Sequence, residues 1–424
     1  MRENPERLAW NVLLAAFLVF LLLCGGAAYL IQWYAFESTL ALQADITVGR
    51  GTVRITSPNS EEPIAVTDQR SELDEGLEIR TDTSQAVLSF SDPRTATPLA
   101  SVVLLHDSQI ELVRAAAPRF GVNRNPYHVD LRSFAGRSEI LILDTQQHAI
   151  NFVVRSPHAV TTLTEPGQYA IEVTNDVTRI SVDEGRALVT DPTDGRSRIL
   201  ETSNRVAVGR EEAAFTMLPP TETVIRNGNF RLPYTTGWEL YDDSEYPPGV
   251  AYNTEFAGRS VLAFDRSQEE WGDLRLGHGE TGLIQAVNVD TTDLDSLELR
   301  ATFYIEEQSL STCGQQGSEC PLMLRISYID EQGVEREYIQ GFYAFHDPAA
   351  DYPLSCATCR GEHERVNLQT WYSFRSGNLL TNLPDEQKPV LIEQLRFYAS
   401  GHAYKVYVSE VELVATNGSA AADS

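Results

Sequence analysis

Four of the five cysteines fall in two close pairs, Cys313 with Cys320 and Cys356 with Cys359, each in a segment containing Gly or Ser. Two kinds of chemistry suit such pairs. In an oxidising compartment they form disulfides, and four cysteines allow three connectivities. As thiolates they would instead supply the four ligands of a tetrahedral zinc site, although the gap from Cys313 to Cys320 exceeds the usual spacing. Both readings stand at this stage. A redox role for Cys356-Ala-Thr-Cys359 would need the first cysteine at a helix N-terminus, where the dipole lowers its pKa. Pro353 before it and Gly361 after it argue for a loop. The eight histidines are dispersed, and no Gly-x-Ser-x-Gly, His-Glu-x-x-His or phosphate-loop pattern occurs. The expectation is therefore a protein that is not an enzyme, with no catalytic residue assigned.

The compartment of those cysteines is set by the N-terminus. No residue from Leu8 to Phe36 is charged, which is long enough to cross a bilayer. Trp10 stands at one end and Trp33 with Tyr34 at the other, separated by roughly 35 Å of helix, as two interfacial aromatic belts would be. Arg2 and Arg7 precede the run and no basic residue follows until Arg50, so positive-inside logic places residues 1–8 in the cytoplasm, 9–36 in the membrane and the remainder outside. Within "FLLLCGGAAYL" Leu23 disfavours lipid attachment at Cys24. Gly26 and Ala28 fit a signal-peptidase site, but the apolar run continues past them to the aromatic belt, so an anchor is expected. The small residues Cys24 to Ala28 offer a packing surface for another helix. A net charge of -27, from 60 acidic and 33 basic residues, argues against a nucleic-acid partner.

After the anchor the chain reads as short, β-branched runs punctuated by Gly, Pro, Asp and Ser, with few helical periods. Ile180, Val182, Ala187 and Val189 alternate around Glu184-Gly185 as in an antiparallel hairpin. The order "GRGTVRIT", "LDEGLEIRTDTSQAVLSFSD", "SQIEL" resembles the FecR-type periplasmic domain, carried by Gly51, Val53, Leu73, Gly76, Ile79, Thr81, Ala86, Leu88, Phe90 and Asp92. The resemblance covers residues 44–209 and implies an all-β domain. Sigma-factor regulators of that family carry a helical cytoplasmic domain ahead of the membrane span, where this sequence has about eight residues, so direct sigma-factor binding is not expected.

Pro219 and Pro220 mark a semi-rigid linker over 210–226. The stretch 227–415 opens on "NGNF" and "TGW", passes through "IQAVNV" and closes on "VELVA". It resembles the galactose-binding-like jelly roll of many carbohydrate-binding modules. Residues 416–424 are small and polar, and disorder is expected there. The resemblance implies sugar binding by exposed rings, for which Trp238, Tyr241, Trp271 and Trp371 are the candidates. The competing reading is burial in the core, strongest for Trp238, whereas Trp271 sits in a charged, Gly-rich segment. It also implies a structural calcium between the first and last strands, with Asn229, Glu410 and Glu412 in the matching zones. These acids also read as solvated edge residues.

The fold expected is thus one N-terminal transmembrane helix followed by an all-β ectodomain, a FecR-like domain and a β-sandwich jelly roll. The function expected is binding or sensing at a bacterial cell envelope, with a glycan or envelope polymer as ligand and the bilayer held through the anchor. A protein-interaction scaffold paired with another envelope protein is the alternative, and an extracytoplasmic glycoside hydrolase is a distant third.

Overall fold

The computed structural model describes residues 5–58, 60, 62–121, 123–145, 148–209, 215–267 and 277–416. One helix, Pro5–Phe36, precedes an otherwise β-rich chain. Its segment Ala9–Phe36 is apolar enough to cross a membrane, and its most apolar stretch has no buried residue. Only Glu37 and Ser38 separate it from the first strand, Thr39–Ala41.

The N-terminal domain consists of two sheets joined through one long strand, Tyr127–Ile142. Its first half pairs with Gln109–Pro118 and Ile150–Arg155, and its second half with Pro98–Leu104 and Gly167–Val173. The turn from one sheet to the other comes at Gly136, whose φ is +83°. A Cβ there would come within 2.4 Å of the Ser108 backbone, so this corner requires glycine. Both sheets direct alternate residues into one core, where Phe90 of one sheet meets Phe152 of the other edge to face, centroids 6.0 Å apart.

The alternation of Ile180, Val182, Ala187 and Val189 places all four in this core. They do not form the expected hairpin. Val177–Glu184 pairs with Gly167–Val173 and Arg205–Gly209, whereas Arg186–Thr190 pairs with Val160–Leu163 and Ser197–Glu201 in the opposite sheet. Gly185, at φ +94°, is the point where the chain changes sheets, and a side chain there would strike the Tyr169 hydroxyl. Alternation reports which face is buried and is silent on which strand lies alongside.

Two true hairpins share one turn. At Asp92 and at Asp191 an Asp-Pro sequence begins a loop in which the Asp N–H donates five residues on, to Thr97 and Arg196, while its carbonyl accepts from Ala96 and Gly195. Both of those latter residues have positive φ. Asp92 is buried, accepts from Arg94 and from the Tyr127 hydroxyl at 2.6 Å, and is held well below the usual carboxylate range, chiefly by the Arg94 hydrogen bonds.

The expected linker is clipped at both ends. Thr216–Leu218 pairs with residues 205–207 of the first domain, and Glu222–Thr223 pairs with Val414 and Ala415 of the second. The second domain is a two-sheet sandwich. One sheet runs in the order 250–256, 259–266, 404–416, 296–308, 371–378, and the other in the order 239–242, 279–290, 389–401, 322–330, 335–343, 364–365. Between them lies an aromatic core that includes Phe230, Phe264, Phe303 and Phe397.

The first of these sheets lays its outer face on the N-terminal domain. Trp371 packs against Val87, Val103 and Leu105 on one side and near Phe256 and Tyr304 on the other, with the Arg259 guanidinium 4.7 Å from its ring. The Gln85 side-chain amide bonds Ser373 twice, donating to its carbonyl at 2.9 Å and accepting from its N–H at 3.1 Å. Asn367 donates to Val48 and Thr67. Arg375 bridges the domains, donating to Glu139 at 2.8 Å and to Glu298 at 3.0 Å. Burial opposes ionisation of Glu139, but Arg375, Arg137 and Arg300 outweigh it and hold this carboxyl down to about 2.

Removing one partner of such a charge cluster strands the other in a low-dielectric seam. Arg375→Ala is therefore expected to cost roughly 2–4 kcal/mol. Urea unfolding of the full chain in detergent measures it, and separation of one transition into two would show that the domains have uncoupled.

Candidate ligand-binding surface

With one jelly-roll sheet docked, the outer face of the other is the broad sheet face of this domain left uncovered by the N-terminal domain among the described residues, and we call it the open sheet. Its register sets Tyr241, Gly282, Tyr398, Met323 and Gly341 side by side across five strands. The next row carries Ile284, Arg396, Arg325 and Ile339. Gly282 makes room for the rings beside it, since a Cβ would come within 2.6 Å of both Tyr398 and Tyr241. The Arg396 guanidinium lies between those rings, 5.2 Å from Tyr241 and 4.6 Å from Tyr398. Around them, the Tyr241 hydroxyl donates to Glu280 at 2.9 Å and Arg325 donates to Glu337 at 2.6 Å. Burial, reinforced by Glu280, raises the Tyr241 phenol above its ordinary value and keeps it neutral. Tyr241, Arg396 and Arg325 are half-buried, while Gly282, Tyr398, Met323 and Gly341 are buried, so the wetted part is the side of the face around Tyr241 and the two arginines.

The disulfide loops close one end of the face. Cys313 is bonded to Cys320 and Cys356 to Cys359. Both bridges pack near Met323, Ile339, Tyr343 and Tyr398. His363 lies against both, buried, with ligand-type atoms of each pair within 4.8 Å of one another. Its two ring nitrogens already have partners: Nδ1 accepts from the Gly341 N–H at 3.0 Å, and Nε2 faces the Gly317 carbonyl at 2.6 Å. Burial lowers its pKa, consistent with a neutral ring donating from Nε2. With the sulfurs bonded in pairs and the imidazole engaged, this cluster is a covalent and hydrogen-bonded clamp, and the four-thiolate zinc arrangement is not the one formed. Gly341 is again necessary, because a Cβ would meet Cys320 and His363.

The other sequence candidates are dispersed. Trp238 is a correction: it is 3% exposed, stacked edge to face on Phe397, with its indole N–H donating to the Asn227 carbonyl. Trp371 is another, since it lies beneath the N-terminal domain. In both cases the apolar ring area is better buried than wetted. Trp271 lies outside the described residues. Tyr241 is on the open sheet, while Arg396, Arg325 and Tyr398 were missed; their alternation along "LRFYAS" and "LMLRISY" was the signal.

The calcium candidates all lie on or beside the last strand, 404–416. Asn229 lies beside the last strand, as the Val411 N–H donates to the Gly228 carbonyl, but its side-chain oxygen accepts from the Arg231 N–H. Glu410 and Glu412 are on the docked sheet, and Glu410 lines a small cleft with Glu139, Asp183, Arg259, Arg300 and Arg375. Burial, with Glu412 next and then Glu139, pushes Glu410 up to about 8.

No protein-family model matches the chain, and no curated protein matches it. Solved structures to which parts of it are similar include an anti-sigma factor from Parabacteroides distasonis, 13% identical, covering 33% of this chain and 58% of that one, TM-score 0.24. This chain thus spans just over half of that protein's length. Others are a family 11 carbohydrate-binding module from Clostridium thermocellum, 10% identical, covering 46% of this chain and 94% of that one, TM-score 0.26. A xylan-binding domain from Paenibacillus barcinonensis is 11% identical, covering 48% of this chain and 99% of that one, TM-score 0.27.

Two outcomes follow from this geometry. Alkylation of the denatured, unreduced chain should modify Cys24 alone, and all five cysteines after reduction, as counted by intact mass. Because folding raises the Glu410 pKa, the native state holds a proton that the unfolded state has released, so stability falls as pH rises from about 4.5 to about 8. Glu410→Gln should remove that fall, gaining more than about 1 kcal/mol at alkaline pH and little near pH 4, by denaturant titration across pH.

Proposed function

We propose that this protein is a membrane-anchored, extracytoplasmic binding protein whose jelly roll offers the open sheet to a glycan or other envelope polymer. In this reading the N-terminal β domain is the mount that fixes the jelly roll to the anchor. The observation that carries it is the use of the two jelly-roll sheets. One is consumed by interdomain packing through Trp371 and Arg375, and the other leaves Tyr241, Arg396 and Arg325 half-exposed over the buried Tyr398. Aromatic rings offer stacking area to pyranose faces, and the flanking guanidiniums and carboxylates offer hydrogen bonds to hydroxyls or uronate groups. The half-exposed Tyr241, Ile284, Arg396 and Arg325 span four adjoining strands, an open shape that suits a polymer better than a small enclosed ligand. The apolar helix Ala9–Phe36 supports the anchor, with the ectodomain outside, where the two disulfides are stable.

Affinity electrophoresis of the full chain in detergent against a panel of soluble cell-wall and capsular polysaccharides tests this. Retardation by at least one polymer is expected, weakened about tenfold or more by Tyr241→Ala or Arg396→Ala. Ile199→Ala on the exposed surface of the N-terminal domain should leave it unchanged. Failure of every polymer, with a single envelope protein recovered by cross-linking through the same face, would replace the glycan with a protein partner.

A further inference from the structure

The loop after the strand Gln109–Pro118 returns to the helix. The Arg119 N–H donates to the Ser38 carbonyl at 3.1 Å, its guanidinium reaches the Thr39 carbonyl at 3.3 Å, and Asn125 donates to the Phe36 carbonyl at 3.0 Å. Phe120 meets Tyr34 edge to face at 5.2 Å, and the Arg119 guanidinium lies 5.5 Å from the same ring. The result is an open apolar surface made jointly by Leu30, Ile31, Tyr34, Ala35, Phe120 and Gly121. Four of these residues belong to the helix and two to the ectodomain.

Its level along the helix matters. Trp33 and Tyr34 form the aromatic belt at the outer end of the span, so a side chain touching Tyr34 sits where headgroups meet acyl chains. Leu30 and Ile31 are 62% and 68% exposed and continue the apolar surface into the span. Water is thus an unfavourable neighbour for this patch, and lipid is the solvent already required by the adjoining helix. The charges agree. In a chain of net charge -27, the residues flanking Phe120 are Arg119 and, four positions on, exposed Arg124, the arrangement that meets phosphates. Glu37 is the acidic residue of the short connection.

We propose that Arg119, Phe120, Gly121 and Arg124 make a second membrane contact: Phe120 enters the boundary between headgroups and acyl chains beside Tyr34, while Arg119 and Arg124 engage headgroup phosphates. The occupant of the patch is the lipid surface itself. This rests on the anchor reading of the helix and adds that the N-terminal domain is seated on the bilayer rather than hanging from it.

The test uses the full chain with Cys24→Ala, reconstituted in phosphatidylcholine–phosphatidylglycerol nanodiscs and labelled with a thiol-reactive, environment-sensitive dye. Single cysteines are placed by Phe120→Cys, by Gly121→Cys as a milder second site, by Leu22→Cys in the span, and by Val334→Cys on an exposed hairpin of the jelly roll. The dye at 120 or 121 should be blue-shifted by the bilayer and quenched by lipids brominated near the headgroup. Lipids brominated near the chain terminus should quench it at 22, and neither should act at 334. Quenching at 22 without quenching at 120 and 121 overturns the seating while leaving the anchor intact. Absence of quenching at 22 overturns the anchor, and the seating with it.

Discussion

Arg375 stands between Glu139 of one domain and Glu298 of the other, and the arrangement of the ectodomain depends on that contact. A guanidinium offers donors in a fixed plane, so it ties two carboxylates into one geometry as an ammonium would not. Around it the seam mixes apolar and polar contacts. Trp371 supplies buried area, while the Gln85 amide completes the backbone bonding of Ser373 as a neighbouring strand would. Like charge is present too: Glu410 and Glu412 project from the same strand into this region. The seam tolerates them by keeping Glu410 largely protonated near neutral pH. Cohesion between the domains is thereby linked to proton concentration.

Much of the fold was legible because burial follows alternation. Ile46, Val48, Leu88, Phe90, Ile180 and Val182 are core residues wherever their strands sit, so the all-β class and the helix followed from pattern alone. Partners were less legible. Ile180 to Val189 showed the right faces and the wrong neighbour, because a glycine with positive φ can close a hairpin or carry the chain between sheets. The repeated Asp-Pro turn at residues 92 and 191 was present in the sequence, but its identity lies in backbone hydrogen bonds that composition does not display.

The candidate surface was harder to read. Aromatic type suggested four residues, yet rings serve cores, domain seams and binding faces alike. Trp238 fills the core, Trp371 the seam, and Tyr241 the open sheet. What distinguishes them is the sheet and face to which each belongs, and that follows from long-range pairing. Alternation marked the faces of Arg396 and Arg325 but not their adjacency, since they become neighbours across strands about 70 residues apart in sequence. The cysteines were the reverse case: short separations made local bridges natural, while the shared histidine between them depends on Gly341 from a different strand.

The link between helix and ectodomain is two residues, Glu37 and Ser38, and both sides of it are pinned, by Asn125 to Phe36 and by Arg119 to Ser38 and Thr39. In mechanical terms this is a stiff coupling rather than a hinge. A pull on the open sheet would pass through the Arg375 seam and the N-terminal domain into the helix with little slack to absorb it. The helix would then experience torque as well as tension, so its orientation becomes a readout of load on the far end of the molecule.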